Sequence, residues 1–480
     1  IFKGQKAMMA AIYGFPKGGT NLPGLVQIHG GGQYADYRAV LTNAKRGYAT
    51  ISIAWAGRLT APGYVVGSSA VKLFWEGKTN DPNYKITTDW GVLDGYHAPC
   101  RFPADDFVTN PPSEHTLDPV ASPRNSGWFL CTLGARRALT FLEHQPEVNG
   151  STLGVYGHSM GGNLTLYVAG TDQRVKAAVV TCAGGIGDQS DHFHNTAFGN
   201  AAYAAHVTCP VLFVNPSDDF HGTILGVEHT SRIIQSKDFR FSRPPQINHS
   251  SPPDFTVTGM LWFDQHLKGA VSLPQTPSVS WELNTPDGVP LMTVKPDPSQ
   301  PCESVDVYYT QDGLKTNPES IPNSENRFCH HISARKLGAT WQSSVPVFSV
   351  KQPLWAYANV HYALPKPITW AGFYYALYTA TNFSISSRLL TALDEPLQAA
   401  HVKPPLRRSR LIESFAPGWK NDWFTDNGSG EWLWRTHKLH AEEWPAPPGA
   451  KLALDVRSPQ PNKLVVQLDD FAAQTNLKGG

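Results

Sequence analysis

Over the first 270 residues, short apolar runs alternate with stretches of helical spacing. Residues 6–13 and 25–28 read as strands, 35–46 as a helix and 48–55 as a further strand. Residues 134–144 have helical spacing and stop before Pro146, and 255–267 read as a closing helix. Between them lie short apolar runs at 153–156, 175–182 and 211–215, of the kind that a parallel sheet buries on both faces. Strands alternating with helices in this way predict a doubly wound, mostly parallel α/β domain over residues 1–270. One long interruption, 57–126, is rich in Tyr, Trp, Pro and Asp. A loop of that length inside a compact domain is expected to be functional, and it is read as a cap over the cleft.

The pattern changes near Ala270. Strand-like segments at 278–282, 291–294, 304–309 and 355–362, separated by Pro, Gly and Asn, predict an immunoglobulin-like sandwich over 271–364. A second strand-rich set at 373–379, 430–437, 451–456 and 463–469 is assigned to 365–480, where residues 418–439 (GWKNDWFTDNGSGEWLWRTHKL) resemble galactose-binding-like jelly rolls. The fold class read from the sequence is therefore α/β followed by an all-β C-terminal region, and 480 residues suit about three domains.

Charge narrows the function classes. With 40 Lys and Arg against 39 Asp and Glu, the chain offers no cationic field for phosphate neutralisation, so neither a nucleic-acid partner nor a membrane surface is expected. No apolar run reaches the roughly 20 residues that a membrane helix needs. The six cysteines form no C-x-x-C pair, so no zinc or redox motif is expected. Cys182 and Cys209 read as buried thiols, and Cys302 with Cys329 and Cys100 with Cys131 read as disulfides if the protein is exported. The start at Ile1 is read as an absent or removed leader, and a secreted or periplasmic location is the expectation.

The chemistry concentrates at 154–164, GVYGHSMGGNL, where Gly157-His158-Ser159-Met160-Gly161 gives G-x-S-x-G between a strand-like and a helix-like run. A serine on such a strained strand-to-helix turn needs glycine neighbours, because two backbones cross closely there. The following helix N-terminus directs N–H groups at developing negative charge, Met160 supplying one of them. Directly after the strand at 25–28 comes His29-Gly30-Gly31-Gly32, whose Gly31 and Gly32 are read as further oxyanion donors.

A serine nucleophile requires a base and an acid, in the chain order Ser, Asp or Glu, His. His249, on the loop before the closing helix, is the expected base. The segment after 211–215 reads PSDDFHG and offers Asp218 and Asp219; Asp219 is preferred as the acid, with Asp218 left to hydrogen-bond the loop. His221 is taken as structural or pocket-lining and His266 as a residue facing solvent or packing. Tyr34, Trp55, His158 and Trp90 are the substrate-pocket candidates. Residues 188–195, DQSDHFHN, match no ligand spacing, and neither a metal nor a cofactor is expected.

IHGGGQ, RGYATIS, GHSMGGN, SDDFHG, NHSSPPD and LWFDQHLKG together resemble the α/β-hydrolases grouped with dienelactone hydrolase and the bacterial acetylxylan esterases, over about the first 270 residues. The resemblance implies an α/β-hydrolase fold with Ser159 as nucleophile, His249 as base and Asp219 as acid. Dienelactone hydrolases use a cysteine nucleophile; Ser159 at that position favours ester hydrolysis. The expected activity is removal of acetyl or other small acyl groups from a carbohydrate, the substrate being a small-molecule or polysaccharide ester. Two alternatives stay open: an X-Pro peptidase or cocaine-esterase-like serine hydrolase, and a non-enzymatic carbohydrate-binding protein.

Overall fold

A computed structural model describes residues 8–88, 112, 117–187, 199–313, 327–425, 433–461, 463–470 and 475–477. The alternating pattern of the first half folds as its periodicity requires: β1 (Ala11–Gly14), β2 (Leu22–Ile28), α1 (Tyr37–Lys45), β3 (Ala49–Ile53), α2 (Gly127–Glu143), β4 (Val148–His158), α3 (Met160–Thr171), β5 (Val175–Thr181), β6 (Val211–Val214), α4 (Ile224–Ile233), β7 (Phe239–Ser242) and α5 (Pro253–Lys268). Strands β3, β2, β4, β5, β6 and β7 run parallel in that spatial order, and β1 closes the outer edge antiparallel to β3. Their apolar residues are buried on both faces, with Leu25 and Val179 in one core cluster and Val26 and Val180 in another. Helix α2 begins seven residues before the expected 134, because Leu130 and Cys131 also turn toward the sheet. This is an α/β-hydrolase-like arrangement, and it sets β2, β4, β6 and β7 with their carboxyl ends at one rim.

Beyond α5, the described residues as far as 392 form strands, loops and one 3₁₀ turn, with no α-helix. Strands β8 (Ser278–Glu282), β9 (Leu291–Lys295), β12 (Arg335–Leu337) and β13 (Thr340–Ser344) form one sheet, ordered β8-β9-β13-β12. Strands β10 (Ser304–Thr310), β11 (His330–Ser333), β14 (Leu354–Ala371), β15 (Leu377–Ser386) and β16 (Leu390–Ala392) belong to the other. Met292 and Val294 pack against Val305, Val307, Ala358 and Val360 between the two sheets. The second sheet does not stand apart: β15 pairs antiparallel with β7 through Phe241 and Ser386, so the hydrolase-like sheet and this second sheet are one twelve-stranded sheet.

Several expectations for the second half fail. The boundary at 364/365 falls inside β14, an eighteen-residue strand paired with β15 along most of its length. Residues 373–375 form a 3₁₀ turn rather than the start of a strand. The jelly roll expected for 365–480 is not formed among the described residues: 451–456 have no strand partner and lie exposed, and past the helix Asp394–Ala399 there are only 3₁₀ turns, one bridge between Phe424 and Arg435, and the pair Leu468–Asp470 with Thr475–Leu477. Cys302 and Cys329 are both thiols, not a disulfide; Cys100 lies outside the described residues. Among those described, no helix is long and apolar enough to cross a membrane.

Candidate active site

Strand β4 ends at His158 and α3 begins at Met160, so Ser159 alone makes the turn, at φ 58° and ψ −125°. That left-handed φ costs a non-glycine residue of order 1–3 kcal/mol and persists only where the surroundings enforce it. The crossing of β4, β2 and α3 provides the enforcement. A Cβ on Gly157 would sit 2.4 Å from the Gly161 carbonyl oxygen, and one on Gly161 would sit 2.1 Å from that of Ile28. The Ser159 N–H is tied to the Thr181 carbonyl at 2.9 Å.

His249 Nε2 lies 2.7 Å from Ser159 Oγ, and its Nδ1 lies 3.2 Å from Asp219 Oδ2 and 3.3 Å from Oδ1. Asp219 is fully buried, and burial alone would raise its pKa. The hydrogen bond and charge of His249, with the N–H of Gly222 at 2.6 Å, outweigh burial and hold this carboxyl well below the ordinary range; the N–H of His221 adds a further bond at 2.7 Å. With Asp219 ionised, Nδ1 must carry the imidazole proton, which leaves the Nε2 lone pair to accept from the serine hydroxyl.

Asp218 hydrogen-bonds its own loop, as expected, and also meets a partner from outside it. It too is fully buried, and burial raises its pKa although Ser217 Oγ donates to it at 2.8 Å and His437 Nδ1 lies 3.0 Å away. Its imidazole partner therefore comes from the far C-terminal segment, a contact with no local signal in the sequence.

The glycine loop after β2 is shaped by partners that sequence reading missed. The N–H of Gly30 donates to Gln33 Oε1 at 2.8 Å and is used up there. The Arg58 guanidinium, almost fully buried, donates to the Gly31 carbonyl. In a trans peptide the next N–H points opposite to that carbonyl, so Arg58 turns the Gly32 N–H away from the interior, on a loop where Gly31 is buried and Gly32 exposed. Met160, at the first position of α3, has no intrahelical carbonyl within reach of its N–H.

The remaining pocket candidates divide. Trp55 is 1% exposed; its Nε1 donates to the His29 carbonyl at 2.8 Å and its ring stacks on that of His29, so it braces the glycine loop from inside and does not face a substrate. Tyr34 is half-buried, its carbonyl accepting from Tyr375 Oη at 2.6 Å. His158 lies against His249: its Nε2 donates to the His249 carbonyl at 3.2 Å, and burial pushes its pKa down to about 3. Phe373, in the turn between β14 and β15, meets the edge of the His158 ring. Gln33, His158, Thr181, Met260, Trp370 and Phe373 are among the residues around a cavity of about 70 Å³ at this place. Trp90 and residues 188–195 lie outside the described residues. His221 donates from Nδ1 to the Cys182 carbonyl and accepts on Nε2 from Asn163, a structural arrangement. His266 packs inside α5 near Trp262 and Asp238.

Among the described residues, one group of metal-capable side chains comes together, Cys182 with Asp219 and His249. Burial pushes the Cys182 thiol well up, so it is protonated and serves Asp219 as a hydrogen-bond donor rather than as a thiolate ligand.

The family described as BAAT / Acyl-CoA thioester hydrolase C terminal matches residues 136–221, a segment that carries Ser159 and Asp219. No curated protein matches the chain. Among solved structures, the acetyl xylan esterase from Paenibacillus sp. R4 is 19% identical with a TM-score of 0.39, over 54% of this chain and 80% of that one. Acetyl Xylan Esterase 1 from Thermoanaerobacterium sp. JW/SL YS485 is 17% identical, TM-score 0.37, over 54% and 78%. A putative dienelactone hydrolase from Klebsiella pneumoniae subsp. pneumoniae MGH 78578 is 15% identical, TM-score 0.35, over 55% and 95%.

Proposed function

We propose that this protein is a serine ester hydrolase working by two-step acyl transfer. The observation that carries the reading is the unbroken relay from Ser159 Oγ through His249 to the buried, ionised Asp219, set on a strained turn at a helix N-terminus. His249 takes the Ser159 proton as Oγ attacks the ester carbonyl. The Met160 and Gly32 N–H groups, with Gly31 beside them, receive the negative charge that forms on the carbonyl oxygen. His249 then hands its proton to the departing alcohol, and water repeats the sequence to release the acid. Asp219 holds the imidazole tautomer and balances its cation.

The finer reading is removal of acetyl or another small acyl group from a carbohydrate, and it rests on the motif resemblance. The matched thioester hydrolase family supports a second reading, an acyl-CoA thioester, which differs only in its leaving group. The test is acetate release from acetylated xylan beside p-nitrophenyl acetate and acetyl-CoA, with wild type and Ser159→Ala. Hydrolysis of xylan acetate and the small ester, lost in the variant, supports the carbohydrate reading. Turnover of acetyl-CoA alone supports the second. If a fluorophosphonate leaves Ser159 of the folded protein unlabelled, the serine mechanism is wrong.

A further inference from the structure

The segment 433–444 reaches back across the molecule to the loop that carries Asp219. His437 is 8% exposed and its Nδ1 lies 3.0 Å from the carboxylate of fully buried Asp218, the residue bonded to Asp219 through a single peptide. The hold on His437 is itself stiff. Its neighbour Lys438 is buried, with Nζ 2.8 Å from Glu413 and 2.9 Å from Asp422, and Glu413 also accepts from Trp423 Nε1 at 2.9 Å. The bridge from Phe424 to Arg435 fixes the strand of chain leading in.

The β region grips the same two loops at other points. Arg327 donates to the Ser217 carbonyl at 2.7 Å, and the Gln246 amide exchanges hydrogen bonds with the main chain of Cys329 in both directions. The N–H of Gln246 in turn donates to Ser217 Oγ at 2.9 Å, which ties the acid loop to the loop bearing His249.

We propose that His437 is a positioning residue for the reaction: through Asp218 it fixes the peptide that sets Asp219 opposite His249, so that the C-terminal segment is part of the catalytic apparatus. The inference rests on the serine-hydrolase reading above. Aspartates in sequence point in different directions, and here each finds its own imidazole; the outer pair anchors the inner one.

Three substitutions test it. His437→Ala leaves a buried carboxylate without its strongest donor, and kcat should fall about tenfold or more with KM within about twofold, the rate of fluorophosphonate labelling at Ser159 falling in parallel. His437→Asn places its Nδ2 where the imidazole Nδ1 stood, and should recover most of both rates. Asp218→Asn combined with His437→Ala removes the stranded charge and should work better than His437→Ala alone. The proposal is overturned if folded His437→Ala keeps wild-type kcat, or if His437→Asn is as impaired as His437→Ala. Should His437→Ala not fold, the same comparison is made between His437→Asn and His437→Gln, whose amide is displaced by one carbon; equal activities would again overturn it. Wild type that fails to label at Ser159 would instead sink the serine mechanism.

Discussion

Two buried Asp–His pairs stand side by side in this molecule, and burial acts on both alike. Asp219 nevertheless sits well below the ordinary carboxylate range, while Asp218 is shifted upward. The difference lies in their donors. Asp219 receives two main-chain N–H groups, from His221 and Gly222, and the Cys182 thiol besides its imidazole, whereas Asp218 receives a hydroxyl and an imidazole. After the His249 imidazole, which is the largest of these influences, fixed amide dipoles cost nothing to reorganise and help to hold Asp219 as an anion; Asp218, without them, is shifted toward its protonated form. The pair that joins Ser159 is the one built on the loop's own backbone. The pair that only holds the loop borrows its base from more than two hundred residues away.

The comparison can be broken in graded steps. Ser159→Ala should cost roughly 10⁵–10⁶ in turnover while leaving the fold intact, which sets the scale of the relay. Asp219→Asn should cost roughly 10³–10⁴, because the amide no longer enforces the required tautomer. Asp218→Asn should cost less than about tenfold, since an amide still bonds His437 and Ser217. Equal losses from the two substitutions, measured with p-nitrophenyl acetate, would erase the distinction between them. Phe373→Ala trims a half-buried ring at the edge of His158; a loss of about 1–2 kcal/mol in denaturant unfolding is expected, with activity changed only a few-fold.

The pH dependence has a definite sign. Asp219 has a lowered pKa in the folded state, so its contribution to stability is complete above the unfolded value, roughly pH 4, and is lost as pH falls toward the folded value. Asp218 acts in the opposite sense, its raised pKa making the native state easier to protonate. Unfolding free energies of wild type and Asp219→Asn should therefore converge as pH drops below about 4, and a constant gap would contradict the ionised state of Asp219.

What the sequence disclosed follows contact range. The turn at Ser159 and the glycine loop are set by residues a few positions apart, and Asp219 and His249 stand after strand ends that share a rim. Trp55 was misread because proximity to a strand end does not say which face a side chain takes; its indole was needed inside, on the His29 carbonyl. Residues 451–456, KLALDV, alternate as a strand should, yet alternation describes only half of a sheet, and among the described residues no neighbour arrives to accept its hydrogen bonds. The Trp-rich stretch near 418–439 read as jelly-roll strands. Instead, turns gather Glu413, Asp422 and Lys438 beneath His437. Nothing local to either residue announces that His437 meets Asp218 or that Phe373 meets His158.

The pairing of β7 with β15 also bears on how this chain is born. When a ribosome has delivered α5, every helix of the hydrolase layer is in hand, but the outer edge of β7 is a row of unbonded amides with more than a hundred residues still to come. Bare edges recruit other bare edges. During synthesis the catalytic half must therefore wait, open along one side, until Phe241 meets Ser386. The yield of soluble protein should consequently depend on translation through β15 more than on any residue of the site.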